Sequence, residues 1–154
     1  MKTFKQLVAE HAAHVNELMP WDLEEKLNKK HQLLLLDIRE PTEYSAMHIK
    51  DSMNIPRGIL ESACDYDYNE TEPKLTNNRD QEIIVICRSG NRSVMAASTM
   101  QEMGYSHVSS LKTGLKGWND FDQPLVDINK TEVDAELAET FLSPKVKPEQ
   151  FTPK

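Results

Sequence analysis

The chain is poor in cysteine, with two, Cys64 and Cys87, among 154 residues. That is too few for the disulfide framework of a small secreted domain, and 154 residues are enough to bury an apolar core instead. No apolar run approaches the length of a membrane span. The first residues, M-K-T-F-K-Q-L-V-A-E-H, carry charges throughout and lack the apolar stretch of a secretory signal, so the expected location is cytoplasmic. A basic surplus is missing too. Lys and Arg number 18 against 25 Asp and Glu, and the net charge of −7 argues against general binding to nucleic acid or an anionic membrane. A local basic pocket remains compatible with it. There are no internal repeats and no low-complexity segments, and a single domain is expected.

What is present centres on Ile83 to Gly104, I-I-V-I-C-R-S-G-N-R-S-V-M-A-A-S-T-M-Q-E-M-G. Ile83 to Ile86 do not alternate with polar residues, which predicts a strand covered on both faces, as in a parallel sheet. Beyond the loop, Ala96, Ala97, Met100 and Gly104 share one helical face, with Ser93 the expected N-cap and Gly104 suited to C′. Strand, tight loop and helix N-terminus form an anion-binding arrangement, since loop N–H groups converge and the helix dipole adds partial positive charge. Placed in that field beside Arg88 and Arg92, Cys87 is expected to act as a thiolate nucleophile toward an anionic substrate.

Cys87 to Arg92 spans C-x4-R. Cysteine phosphatases use C-x5-R, and the extra residue widens the cradle for a tetrahedral phosphate. The shorter loop should close around a cysteine carrying one additional sulfur atom. C-R-S-G-N-R-S resembles the active-site loop of the rhodanese family of sulfurtransferases. Leu33 to Pro56, L-L-L-L-D-I-R-E-P-T-E-Y-S-A-M-H-I-K-D-S-M-N-I-P, and Leu111 to Trp118, L-K-T-G-L-K-G-W, resemble that family's other two signatures. Three motifs in the right order cover roughly Glu17 to Val126.

The resemblance implies an α/β three-layer domain with a central, mainly parallel sheet and helices on both faces. It also implies a two-step transfer: a small anionic sulfur donor such as thiosulfate leaves its sulfane sulfur on Cys87, and a thiol or cyanide takes it away. A sulfur-accepting protein is the alternative partner, and a cysteine phosphatase or arsenate reductase the alternative enzyme. No metal or organic cofactor is called for. The candidate loop residues are Arg88 for attracting the donor, Ser89 and Ser93 as hydroxyl donors, Gly90 for a positive φ, Asn91 at the crown, and Arg92 for binding the donor or bracing the loop. Asp37 and Arg39 are expected in support at the end of a neighbouring strand.

The remaining chain divides into an N-terminal helical extension (1–14), the rhodanese-like domain (15–126) and a C-terminal helix with a loose tail (127–154). T-F-K-Q is a capping box for an amphipathic helix read from Thr3 to about Glu17, and the resemblance implies a short strand near Val15 to Leu18 that would end the helix before Val15. His11 and His14 read as solvated rather than metal-binding. Helices are expected at Pro20–Leu27, Pro41–Met47, Gly114–Phe121 and Thr131–Leu142, and strands at Leu33–Ile38 and Val108–Leu111. Ala63 to Glu82 is acidic and shows no period. It reads as a long irregular insert, either a solvated excursion or a loop that selects the acceptor. Cys64 within it reads as an inert small side chain. His48 reads as structural. Met47, Asp51 and Thr113 stand where the family has glycine. The terminal helices lie outside the family core and either pack on it or meet a second copy.

Overall fold

The computed structural model describes residues 1–154. Its centre is a five-stranded parallel sheet: β1 (Asn16–Leu18), β2 (Leu34–Asp37), β3 (Met53–Asn54), β4 (Glu82–Ile86) and β5 (His107–Leu111), in the order β1-β5-β4-β2-β3. The continuous run Ile83 to Ile86 becomes the middle strand, with each of the four side chains fully buried. Strand pleating sends alternate residues to opposite faces. Ile83, Val85 and Cys87 join Leu36 and Ile38 in one apolar layer, whereas Ile84 and Ile86 join Leu35 and Leu111 in the other.

The first layer is covered by α1 (Phe4–Ala12), α4 (Leu60–Ala63), α5 (Pro73–Thr76) and α6 (Asn91–Glu102). The second is covered by α2 (Pro20–Asn28), α7 (Gly114–Asp120) and α8 (Ala135–Leu142). The short α3 (Pro41–Ala46) follows β2. This is the three-layer α/β arrangement that the sequence leads one to expect. No helix is long and apolar enough to cross a membrane.

Several local expectations hold with their chemistry visible. Thr3 Oγ1 accepts from the Gln6 N–H at 3.1 Å and Gln6 Oε1 accepts from the Thr3 N–H at 2.8 Å, a complete capping box. Gly104, at φ +90°, closes α6: its N–H reaches the Gln101 carbonyl and the Tyr105 N–H reaches that of Met100, both at 3.1 Å, a Schellman pairing. Asp51 and Thr113 take the left-handed conformation at φ 65° and 69°. Met47 avoids it, lying in extended backbone at φ −166°. His48 is structural: its ring stacks on Tyr44 at 3.8 Å and its Nδ1 donates to the Tyr44 carbonyl at 2.8 Å.

Others are corrected. α6 begins at Asn91 rather than after Ser93, with Gly90 as N-cap. α8 begins at Ala135, capped by Asp134, because the Thr131 N–H is already held by Asp127 Oδ1 at 3.0 Å in a preceding turn. Ala63 to Glu82 is not irregular throughout. It contains α5 and is tied to α6, where Arg79 Nη1 donates to the Met103 carbonyl and the guanidinium lies 5.0 Å from the Tyr105 ring. His11 and His14 are not merely solvated. Both rings meet the buried Ser98 hydroxyl, at 2.7 and 3.1 Å, and so fasten α1 to α6.

Candidate active site

Cys87 follows β4 directly and lies at the floor of the loop that enters α6, 1% exposed. Two N–H groups donate to its sulfur, and the thiol donates to one hydroxyl. The Gly90 N–H points at the sulfur from 3.1 Å, the Ser93 N–H from 3.3 Å, and the Ser93 hydroxyl lies 3.3 Å away. Ser93 is the third residue of α6, and the N–H at that position is the one an N-cap side chain normally satisfies. Gly90 has no side chain to offer, so the sulfur takes the acceptor's place. That is why Ser93 sits inside the helix, its hydroxyl held between Cys87 and the Ser110 hydroxyl at 2.7 Å. Two backbone N–H groups and the positive end of α6 converge on one sulfur, an arrangement that stabilises negative charge there.

The loop owes its shape to α7. The N–H groups of Leu115 and Lys116, in the first turn of α7, donate to the carbonyls of Cys87 at 2.9 Å and Arg88 at 3.0 Å. Holding those carbonyls outward turns the following N–H groups inward. Two glycines permit the approach. A Cβ on Gly90 would lie 3.0 Å from the Thr113 nitrogen, and one on Gly114 would lie 2.5 Å from the carbonyl oxygens of both Cys87 and Arg88. Gly90 and Gly114 also have positive φ, at 94° and 61°.

The two arginines part company. Arg92 makes a bidentate pair with Glu43 of α3, both contacts 2.9 Å. The guanidinium holds the Glu43 carboxyl below the usual carboxylate range against the opposing effect of burial, with the Glu40 N–H and Arg39 assisting. Arg92 therefore braces the loop against α3. Arg88 is half-buried and has no side-chain hydrogen bond or ion pair. Ser89 and Asn91 are exposed at the crown.

Asp37 and Arg39 stand at the end of β2, beside β4, both 0% exposed. Arg39 Nε donates to Asp37 Oδ1 at 3.0 Å, and its Nη2 donates to Oδ2 at 2.9 Å and to the Met47 carbonyl at 2.6 Å. Asn54 Nδ2 donates to both of their backbone carbonyls, each at 3.0 Å. Neither side chain hydrogen-bonds to the Cys87 loop. It fixes the start of α3, and α3 supplies Glu43.

The family model of the rhodanese-like domain matches residues 19–121. The chain belongs to the rhodanese-like family. Within that family it is 34% identical over 110 residues to YrkF of Bacillus subtilis, whose name describes a sulfur carrier protein. The match takes in 71% of this chain and 54% of that one, so the chain spans about half of this relative. It is 30% identical over 112 residues to a sulfurtransferase of Allochromatium vinosum, covering 73% of this chain and 95% of that one. Among solved structures, RPA3614 of Rhodopseudomonas palustris, described as a protein of unknown function and candidate tyrosine phosphatase, superposes with a TM-score of 0.73. It is 26% identical and covers 80% of this chain and 94% of its own. Rhodanese-like relatives thus include proteins named for transferring sulfur and for carrying it.

Three contributors to this rhodanese-like site escape sequence reading. Glu43 stands 49 residues from its partner Arg92. Ser110 gave a signal, since a pair of serines interrupts the apolar residues of the buried part of β5. The N–H groups of Leu115 and Lys116 give none, because any residue but proline provides them.

Proposed function

We propose that the protein moves a sulfane sulfur through a persulfide on Cys87. The Cys87 thiolate attacks the outer sulfur of thiosulfate or a related donor, the donor's S–S bond breaks, and sulfite leaves with the electron pair. The terminal sulfur then carries the negative charge. An acceptor nucleophile, cyanide or a thiol, attacks that sulfur, the bond to Cys87 breaks, and the thiolate is restored. The observation that carries this reading is the convergence of the Gly90 and Ser93 N–H groups on the sulfur at the start of α6. Donors so placed stabilise charge on the Cys87 sulfur, which is the attacking thiolate in the first step and the leaving thiolate in the second. Arg88, with no partner inside the protein, is the cation available to attract the donor, and the 1% exposure of Cys87 favours a narrow electrophile over a bulky one.

Intact-mass spectrometry after incubation with thiosulfate tests the proposal. The expected result is the gain of one sulfur atom, absent in Cys87→Ser, and an unchanged wild-type mass refutes it. The name of YrkF favours a second reading, a persulfide carrier that hands its sulfur to a protein. Slow turnover with free thiosulfate together with fast transfer to a protein acceptor would select it. RPA3614 raises phosphatase activity. The C-x4-R spacing opposes that here, and an aryl phosphate assay is expected to show no turnover.

A further inference from the structure

Next to the loop lies a cavity of about 510 Å³, which the sulfur chemistry described so far does not use. Ser89 and Thr113 line it together with Met19, Trp21 and Phe121. Trp21, the second residue of α2, is 50% exposed, with its ring edge-on to Phe121 at 5.8 Å and 70°. With Met19 and Phe121 it lines one cavity, so its exposed ring is part of a contiguous apolar surface rather than a lone side chain in water.

The charges around the cavity are asymmetric. Lys116 and Asp120 both line it, 3.3 Å apart, and Glu139 lies 3.2 Å from the same ammonium, so the one lysine faces two carboxylates. Arg88, beside Ser89 in the loop though not itself lining the cavity, is a cation without a partner. The layout is thus an unpaired positive charge at the sulfur end and an apolar hollow beside it. An inorganic donor or cyanide matches only the first half. A molecule with an anionic sulfur head and an apolar carbon body matches both.

We infer that this cavity holds the carbon body of an organic thiol acceptor, whose sulfur reaches over Ser89 to Cys87. The inference rests on the sulfur-transfer reading and names where its acceptor binds and of what kind it is. The thiol loses its proton to solvent, and its sulfur attacks the terminal sulfur of the Cys87 persulfide. The S–S bond to Cys87 breaks, Cys87 departs as thiolate with the electron pair, and an organic persulfide leaves. An apolar, uncharged body is favoured because the exposed wall of the hollow is mostly apolar and the one lysine on it is already held by two carboxylates, and aromatic walls favour an aryl group above a short hydroxyalkyl chain.

The test loads the 154-residue chain with thiosulfate, confirms the added sulfur by mass, and compares phenethylthiol, mercaptoethanol and cyanide as acceptors. In the wild type, phenethylthiol is expected to exceed mercaptoethanol in kcat/KM by about tenfold or more, the usual worth of an apolar pocket contact. Trp21→Ala should collapse that ratio, acting on KM for the aryl thiol, and should lower the ratio of phenethylthiol to cyanide by a similar factor. Phe121→Leu, a milder change, should move both ratios the same way. Equal use of the two thiols by the wild type overturns the inference, as does a uniform loss with all three acceptors in both variants. A protein that gains no sulfur fails earlier, refuting sulfur transfer and with it this acceptor site. One that loads but does not discriminate refutes the acceptor site alone.

Discussion

Alanine at Gly114 places a methyl group where the backbone of the Cys87 loop already lies. The new Cβ would sit 2.5 Å from the carbonyl oxygens of Cys87 and Arg88. Ordinary contacts need about 3.5 Å, so something must yield by about 1 Å. Both neighbours are backbone, so no side-chain rotation relieves the clash. Retreat of the loop breaks the hydrogen bonds from Leu115 and Lys116, worth about 1 kcal/mol each. The alanine must also hold φ near +61°, at a cost of about 1 kcal/mol. The sum is roughly 3 kcal/mol, which lowers the Tm of a domain this size by roughly 6–12 °C. The chemistry should suffer more than the stability. The same retreat carries the Gly90 and Ser93 N–H groups away from the sulfur, and misplacing one such donor slows reaction about 100-fold or more. Calorimetry gives the first quantity and the rate of sulfur uptake by mass spectrometry gives the second. Gly104→Ala is the control: its φ is +90° but its Cβ would meet nothing within 4 Å, so it bears the conformational cost alone. If Gly114→Ala takes up sulfur at the wild-type rate and melts no lower than Gly104→Ala, the coupling between α7 and the loop is refuted.

Arg88→Ala is expected to slow sulfur uptake from thiosulfate more than from an uncharged persulfide donor; equal slowing with both removes the role of attracting the anion. The Glu43–Arg92 pair, partly open to water, contributes on the order of 1 kcal/mol or less. Because Arg92 lowers the folded-state pKa of Glu43, that stability is present above the ordinary value of 4.5 and is lost as pH falls through the lowered one. The urea midpoint of Glu43→Gln should accordingly lie below wild type at pH 7 and converge with it in acid; a gap that persists in acid contradicts the assignment. Burial pushes the Cys64 thiol up to about 11, only partly offset by its Tyr105 contact and Arg79, so Cys64 is a protonated thiol at neutral pH. Mass mapping after brief iodoacetamide treatment at pH 7 should find Cys64 unmodified until the protein is unfolded.

The parts of this fold that were plain in the sequence are those specified locally. A run of β-branched residues ending in C-R-S-G-N-R announces β4 and its loop, and Thr3 with Gln6 announces α1. What stayed hidden depends on partners brought together by folding. Ser93 looked like a cap because serine usually caps, yet the Cys87 sulfur takes that part once strand and helix meet across the loop. The region after Ala63 shows no period because α5 is only four residues long and its surroundings are held from a distance, by Tyr105 bonded to the Cys64 carbonyl and Arg79 reaching Met103. The division of labour between the arginines was likewise undecidable from spacing, since it turns on Glu43, which arrives on a different helix.

The grip of α7 on the loop constrains how such a loop can be remade. Widening it by the single residue found in phosphatases would displace the Cys87 and Arg88 carbonyls from the two amides that now receive them. A graft confined to the stretch from Cys87 to Arg92 would then leave those amides facing nothing, and only a transplant that also rebuilds Gly114 to Lys116 would close the bowl again.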